Sequence, residues 1–145
     1  MRRRVFIDNQ DAWLFRREPR PQLYEQRSIG IASESDVVVL SAPPADDCLS
    51  YLKDLKLEPI RIMHPRETGP DLAASILSDP NLLGELLTLT NNGRWVIETY
   101  SWGNSFKSLA SRLDVPVRPS RQLWYGYATK TAFKALAENL GLPTP

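Results

Sequence analysis

Short runs of β-branched residues alternate along this chain with stretches whose apolar side chains recur every three or four positions. Val5-Phe6-Ile7 is the first run, and Val37-Val38-Val39-Leu40 is a continuous apolar run of the kind found in a strand covered on both faces. Ser41-Ala42-Pro43-Pro44 ends it, and Ala45, Cys48, Leu49, Leu52 and Leu55 follow as one stripe at helical spacing. Asp46 and Asp47 in the first turn and Lys53 and Lys56 near the end suit the helix dipole. The stripe predicts Cys48 as core packing rather than a reactive thiol. Pro59 to Met63 reads as the third strand. Pro70 and Asp71 start a helix through Leu77, Asp79-Pro80 interrupts it, and Leu82, Leu83, Leu86 and Leu87 make the next apolar face. Asn91-Asn92-Gly93 stops that helix, and Trp95 to Tyr100 is the fourth strand. Asn104 is predicted as the N-cap of a helix burying Phe106, Leu109, Ala110 and Leu113. Val115-Pro116-Val117 gives a short fifth strand, where the proline suits an edge or a strand start. A last helix from Thr129 to Leu140 carries Ala132, Phe133, Leu136, Ala137 and Leu140 on one side, with Lys134 and Glu138 as an i,i+4 pair.

Strands separated by helices imply crossovers and a mainly parallel sheet, so the expected fold is α/β, a three-layer Rossmann-like sandwich. Ligands of such sheets sit beyond the carboxyl ends of the strands. That edge would carry Asp8-Asn9, Ser41 to Pro44, His64-Pro65 and Tyr100 to Asn104. Residues 11–36, with Arg16, Arg17, Pro19, Arg20 and Pro21, show no sustained period and read as an irregular excursion. An excursion of this length is either a solvated loop or a functional segment that contacts something else.

Composition narrows the function. The chain has 145 residues, one domain's worth, with 18 Lys+Arg against 17 Asp+Glu and a formal charge of +1. This balance gives no electrostatic case for binding nucleic acid or a membrane surface. No stretch approaches the roughly 20 apolar residues of a membrane span, and Asp8, Asn9 and Asp11 break anything like a signal-peptide core. A cytoplasmic location is expected. One cysteine, Cys48, excludes an internal disulfide, and one histidine, His64, leaves little for zinc or for a Ser-His or Cys-His hydrolase. The run after Ile7 is Asp8-Asn9-Gln10 rather than a glycine-rich turn, and no Gly-Lys-Ser/Thr phosphate loop is present. Glu98 and Tyr100 share a face of the fourth strand near its end. Trp102 either covers a ligand or packs locally. Arg118, Arg121, Trp124, Tyr125 and Tyr127 interleave basic and aromatic side chains, which burial against a C-terminal neighbour explains better than base stacking.

The segment from Thr129 through Lys130 to Gly141-Leu142-Pro143-Thr144-Pro145 looks like the lead-in to an ATP-grasp ligase, where a lysine-containing helix and a Gly-x-Pro-x-Pro-like stop join the pre-ATP-grasp domain to the nucleotide-binding region. Asp36-Val37-Val38-Val39-Leu40-Ser41-Ala42-Pro43-Pro44 with its acidic helix, and Ser78-Asp79-Pro80-Asn81-Leu82-Leu83 ahead of a strand ending in Tyr100, are similar to the pre-ATP-grasp domain of pheganomycin-type peptide ligases. The resemblance covers most of residues 36–145. It departs at Ala128 and Thr129, where the family commonly has Asn or Asp before the helix lysine.

The resemblance implies a division into residues 1–128, a pre-ATP-grasp domain, and residues 129–145, a helix and linker leading into an ATP-grasp region beyond this sequence. Enzymes of this class use ATP and magnesium to make an acylphosphate that an amine captures. The nucleotide lysines and magnesium carboxylates belong to the following subdomains, so this chain alone is expected to be inactive. Expected substrate contacts are Asn9, Ser41, Tyr100, Ser101 and Asn104, with Lys130 near the nucleotide. Expected partners are the ATP-grasp domain and small-molecule or peptide carboxylate and amine substrates, and an uncovered docking face would also allow a homodimer. Two other readings stand beside this one: a free-standing Rossmann-like binding or regulatory module, and a small hydrolase or transferase that uses His64.

Overall fold

A computed structural model describes residues 3–9, 25–55, 60–118 and 130–142. Five strands, β1 (Arg3–Ile7), β2 (Val37–Val39), β3 (Arg61–Met63), β4 (Trp95–Glu98) and β5 (Val117–Arg118), form one sheet in the order β3-β2-β1-β4-β5. Every pairing is parallel, with Val5 opposite Val37 on one side and Ile97 on the other. The fold is the α/β Rossmann-like architecture that the strand–helix alternation predicts. The order runs outward from β1 through β2 to β3, then returns to β4 on β1's other flank. The carboxyl ends of β1 and β4 therefore flank the switch point where such sheets open a crevice.

Among the described residues there are five α-helices: α1 (Asp46–Asp54), α2 (Leu72–Ser78), α3 (Pro80–Thr90), α4 (Asn104–Leu113) and α5 (Lys130–Asn139). The two helices of the β3–β4 crossover start on aspartates. Asp71 Oδ1 accepts the Ala74 amide at 2.8 Å, and Asp79 Oδ1 accepts the Asn81 and Leu82 amides at 3.1 Å, satisfying donors that a helix start leaves orphaned. Pro80 at the first position of α3 loses no bond there. Asp114 closes α4 in the left-handed region at φ 51°, its amide bonded to the Ala110 carbonyl.

The two sheet faces are packed differently. Val5, Ile7, Val37, Val39, Trp95 and Ile97 face α2, α3 and α4 in the larger core cluster, with Leu72, Ile76, Leu86, Phe106 and Leu109 fully buried against them. Trp102 sits edge-on to Phe106, centroids 5.2 Å apart at 88°, so it packs locally onto this core. Among the described residues the opposite face carries Phe6, Val38, Leu40 and Ile29 as a smaller buried cluster, with Cys48, Leu52 and Ile62 partly buried beside them, and Val96, which alternates with Trp95 and Ile97, is buried on the same side.

The structure corrects two expectations. No residue of α1 is fully buried: Cys48 and Leu52 are half-buried and pack against the smaller core cluster, as the stripe predicts for Cys48, whereas Leu49 and Leu55 of the same stripe are exposed. Asn104 is the first residue of α4 rather than its cap. Gly103 occupies the cap with no side-chain bond, and Asn104 Oδ1 instead accepts Lys107 Nζ at 3.1 Å.

Candidate functional site

Strand ends collect the polar residues. Beyond β1 the chain turns tightly, the Asn9 amide bonding back to the Ile7 carbonyl at 2.8 Å, and both Asp8 and Asn9 are buried. Asn9 ties three elements together. Its Oδ1 accepts the Ala73 amide in the first turn of α2 at 2.8 Å, and its carbonyl accepts Ser101 Oγ at 2.7 Å from beyond β4. Ser101 is in turn held by Thr99, whose hydroxyl donates to the Ser101 carbonyl at 3.1 Å. Of the residues expected from sequence, Asn9 and Ser101 are thus in direct contact across the switch point.

The described end of the excursion, residues 25–36, is a covering layer rather than a solvated loop. Asp36 anchors it. Its carboxylate accepts the Arg4 amide at 2.8 Å, Arg4 Nη2 at 2.6 Å, and the Ser33 amide and hydroxyl at 2.9 and 2.8 Å. Burial acts to raise the Asp36 pKa, and the Arg4 and Ser33 bonds outweigh it and bring it below the ordinary value. From this layer Arg27 reaches over the sheet edge. Its Nε and Nη2 donate to the two oxygens of Asp8 at 2.7 and 3.0 Å, and its guanidinium stacks 4.0 Å above the Tyr100 ring. Burial acts to lower the Arg27 pKa, and the Asp8 bonds and charge, aided by Tyr100, more than reverse it. Phe6, Asp8, Arg27, Ile31, Glu98 and Tyr100 line a pocket of about 180 Å³ over the β1–β4 pair. Glu98 and Tyr100 therefore share one recess, with Glu98 also 3.7 Å from Arg118.

Glu25 is the most perturbed acid described. It is completely buried, and its Oε2 accepts the Ser41 amide at 2.7 Å, which places Ser41 and the end of β2 in the same corner. Burial pushes its pKa from 4.5 to about 7; the Ser41 amide and hydroxyl pull it down, and the Asp8 charge adds a smaller upward push. The Ser41 hydroxyl acts on this carboxyl from outside hydrogen-bond geometry.

Tyr100, Ser101, Asn9 and Ser41 all stand along this edge, whereas Asn104 is exposed and turned to Lys107. Lys130 opens α5, and its side chain lies outside the described residues, as do Arg16 to Pro21, Arg121 to Tyr127 and Pro143 to Pro145. His64 is exposed, and its ring contact is Nδ1 to the neighbouring Pro65 carbonyl at 3.3 Å. No described nucleophile or carboxylate is hydrogen-bonded to it, so the arrangement does not support a His64-dependent hydrolase. Glu25 and Arg27 were not legible as site residues, since they lie in an aperiodic segment and their partners are 16 and 19 residues away.

A second pocket, about 310 Å³, lies between the loop after β3 and the α2–α3 junction, lined by Arg66, Gly69, Ser75, Asp79 and Asn81 among others. Gly69 lies close to α2 there: its amide donates to Ser75 Oγ at 2.7 Å, and an added Cβ would lie 3.2 Å from that oxygen, a tight approach that a small shift of the Ser75 side chain would have to relieve. Asp79 already fills the start of α3 and also accepts the Arg66 amide at 3.0 Å, so this recess offers no open helix terminus to an anion. Among the described residues no three His, Cys, Asp or Glu gather as metal ligands, and no helix is long and apolar enough to cross a membrane.

The family model described as the pre ATP-grasp domain matches residues 25–115, more than half of the chain. No curated protein matches the chain.

Proposed function

The chain belongs to the pre-ATP-grasp domain family, and on that premise we propose that it is the N-terminal, substrate-side domain of an ATP-dependent carboxylate–amine ligase, with a peptide among its substrates. The observation that carries this reading is the concentration of buried polar groups at the carboxyl ends of β1, β2 and β4, on the flanks of the switch point. In this reading Asn9 and Ser101 hold the crevice wall in shape. Ser41 and Tyr100 meet substrate, and Asn104 stands at the rim. Residues 1–128 form the domain, and residues 129–145, with Lys130, lead toward the nucleotide. The described residues do not themselves fit magnesium-ATP: they supply neither a metal-binding carboxylate set nor a phosphate loop. Phosphate and metal chemistry is therefore assigned to an ATP-grasp region, with this domain acting as its partner and as one wall of the site.

The test is ADP release by the gene product carrying this domain together with its ATP-grasp region, given ATP, magnesium and panels of carboxylates and amines. ADP release that requires both a carboxylate and an amine is expected, and Tyr100→Ala should raise KM more than it lowers kcat. Absence of ADP release with every mixture would overturn the reading. A gene product without an ATP-grasp region would favour a free-standing binding module.

A further inference from the structure

Among the described residues, three arginine–carboxylate pairs lie along the Phe6 face of the sheet and its strand ends. Two are closed. Arg4 donates to Asp36 at 2.6 and 3.0 Å, and Arg27 donates to Asp8 at 2.7 and 3.0 Å. The third, Arg118 Nη1 to Glu98 Oε1, stays open at 3.7 Å, beyond hydrogen-bond distance. Neither of its side chains makes a hydrogen bond with the described residues, although that of Glu98 is only 25% exposed.

The sheet register places this open pair. Phe6 is paired with Glu98 and Glu98 with Arg118, so the three side chains stand in a row on one face across β1, β4 and β5. Phe6 and Glu98 line the pocket of about 180 Å³, together with Ile31 and Tyr100. Arg118 stands beside Glu98 on the two-residue edge strand, 62% exposed, which leaves its long side chain room to swing.

Size and charge restrict what fills the recess. At about 180 Å³ it is larger than one water needs and smaller than the roughly 300–1,000 Å³ of pockets for drug-sized ligands, which leaves a ligand of few heavy atoms. Asp8 and Arg27 neutralise each other, as do Asp36 and Arg4, so the charges open to a ligand are one anion, Glu98, and one cation, Arg118. A simple cation on Glu98 would strand Arg118, and a simple anion on Arg118 would strand Glu98. A zwitterion gives each a partner. The apolar surface of Phe6 and Ile31 beside the pair suits a short aliphatic group.

We propose that this recess binds a free α-amino acid with a short aliphatic side chain, in its zwitterionic form. The ammonium lies on the Glu98 carboxylate, the ligand carboxylate on the Arg118 guanidinium, and the side chain against Phe6 and Ile31. As the place of a ligation substrate the site rests on the ligase reading. Binding itself needs neither ATP nor a second domain.

The experiment is an NMR titration of the 145-residue chain with three probes. They are L-valine, isobutylamine, which is valine without its carboxylate, and isovalerate, which is valine without its ammonium. Valine is expected to shift the Thr99, Tyr100 and Arg118 amide signals, and each half-molecule to bind about tenfold or more weakly. Glu98→Gln should weaken valine about tenfold or more and strengthen isovalerate. Arg118→Gln should weaken valine similarly and strengthen isobutylamine. Mere loss of a surface ion pair would not exchange these preferences. Amide spectra report whether each variant is folded, and if Glu98→Gln is not, Arg118→Gln decides. Equal affinity for the three probes, no response to any of them, or no exchange of preference in the folded variants overturns the proposal. Valine binding by a gene product that shows no ATP-dependent ligation would keep the site and discard the ligase reading. Ligation unchanged by both substitutions would keep the ligase reading and discard the site.

Discussion

The two faces of the sheet solve different problems. On one, α2, α3 and α4 close over a wide apolar layer in which Phe106, Leu86 and Ile97 are fully buried. On the other, α1 and residues 25–36 lie over a smaller buried apolar cluster among the described residues, and Asp36, Asp8–Arg27 and Glu25–Ser41 add polar ties. The apolar face is stabilised by area and tolerates chemistry poorly. The polar face places charge where water is excluded, which costs stability and yields groups with altered protonation. The two faces meet at the strand ends, where Asn9 of the candidate site also bonds the first turn of α2.

Breaking the apolar face should have the largest effect. Phe106→Ala removes a fully buried ring that also meets Trp102, and a loss of about 4 kcal/mol is expected from the denaturant midpoint. The polar face should reveal itself through pH. Glu25 holds its proton more tightly when folded, so its contribution is complete below its unfolded pKa of 4.5 and declines as pH rises to about 7. Unfolding free energy should fall by about 3 kcal/mol across that window, and Glu25→Gln should flatten the slope. Asp36→Ala strands the Arg4 guanidinium and the Ser33 donors; because Arg4 is part-exposed, about 2 kcal/mol is expected. Asp36 has a depressed pKa, so the stability it confers should be lost only as pH falls through that lowered value. Asp71→Ala, which uncaps α2 and releases the Ser105 hydroxyl, should cost about 1 kcal/mol. Leu49→Gln on the exposed side of α1 should change stability by less than about 0.5 kcal/mol, measured as a shift in melting temperature.

The difference between the faces also explains what the sequence discloses. The apolar face is written in periodicity. The stripes of Leu82 to Leu87 and Phe106 to Leu113, and the run Trp95-Val96-Ile97, each have one placement that buries them, and the structure adopts it. The strand ends follow from the parallel topology, which is why Asn9, Ser41 and Ser101 are found along the candidate edge. Glu25 and Arg27 were hidden because a carboxylate and a guanidinium in an aperiodic segment look like solvated charge until their partners are known. Those partners, Ser41 and Asp8, are set by tertiary closure rather than by local spacing. The stripe of α1 is met in part: Cys48 and Leu52 reach the smaller core cluster while Leu49 and Leu55 stay exposed, because helical amphipathicity gives a helix's inward side, not how much surface awaits it.

The central position of β1 carries a consequence for synthesis. Its first neighbour, β2, follows within the same short stretch, but its second is β4, with Arg3 pairing Trp95 about ninety residues later. At a ribosomal rate of roughly 5–20 residues per second, one flank of β1 waits on the order of 5–20 s for its partner. Over that interval Val5 and Ile7, which finish with no solvent exposure, lack the strand and the helices that later enclose them. The nascent chain therefore passes through a window in which its most buried strand is an open edge, and chaperone engagement or a local slowing of translation would act there.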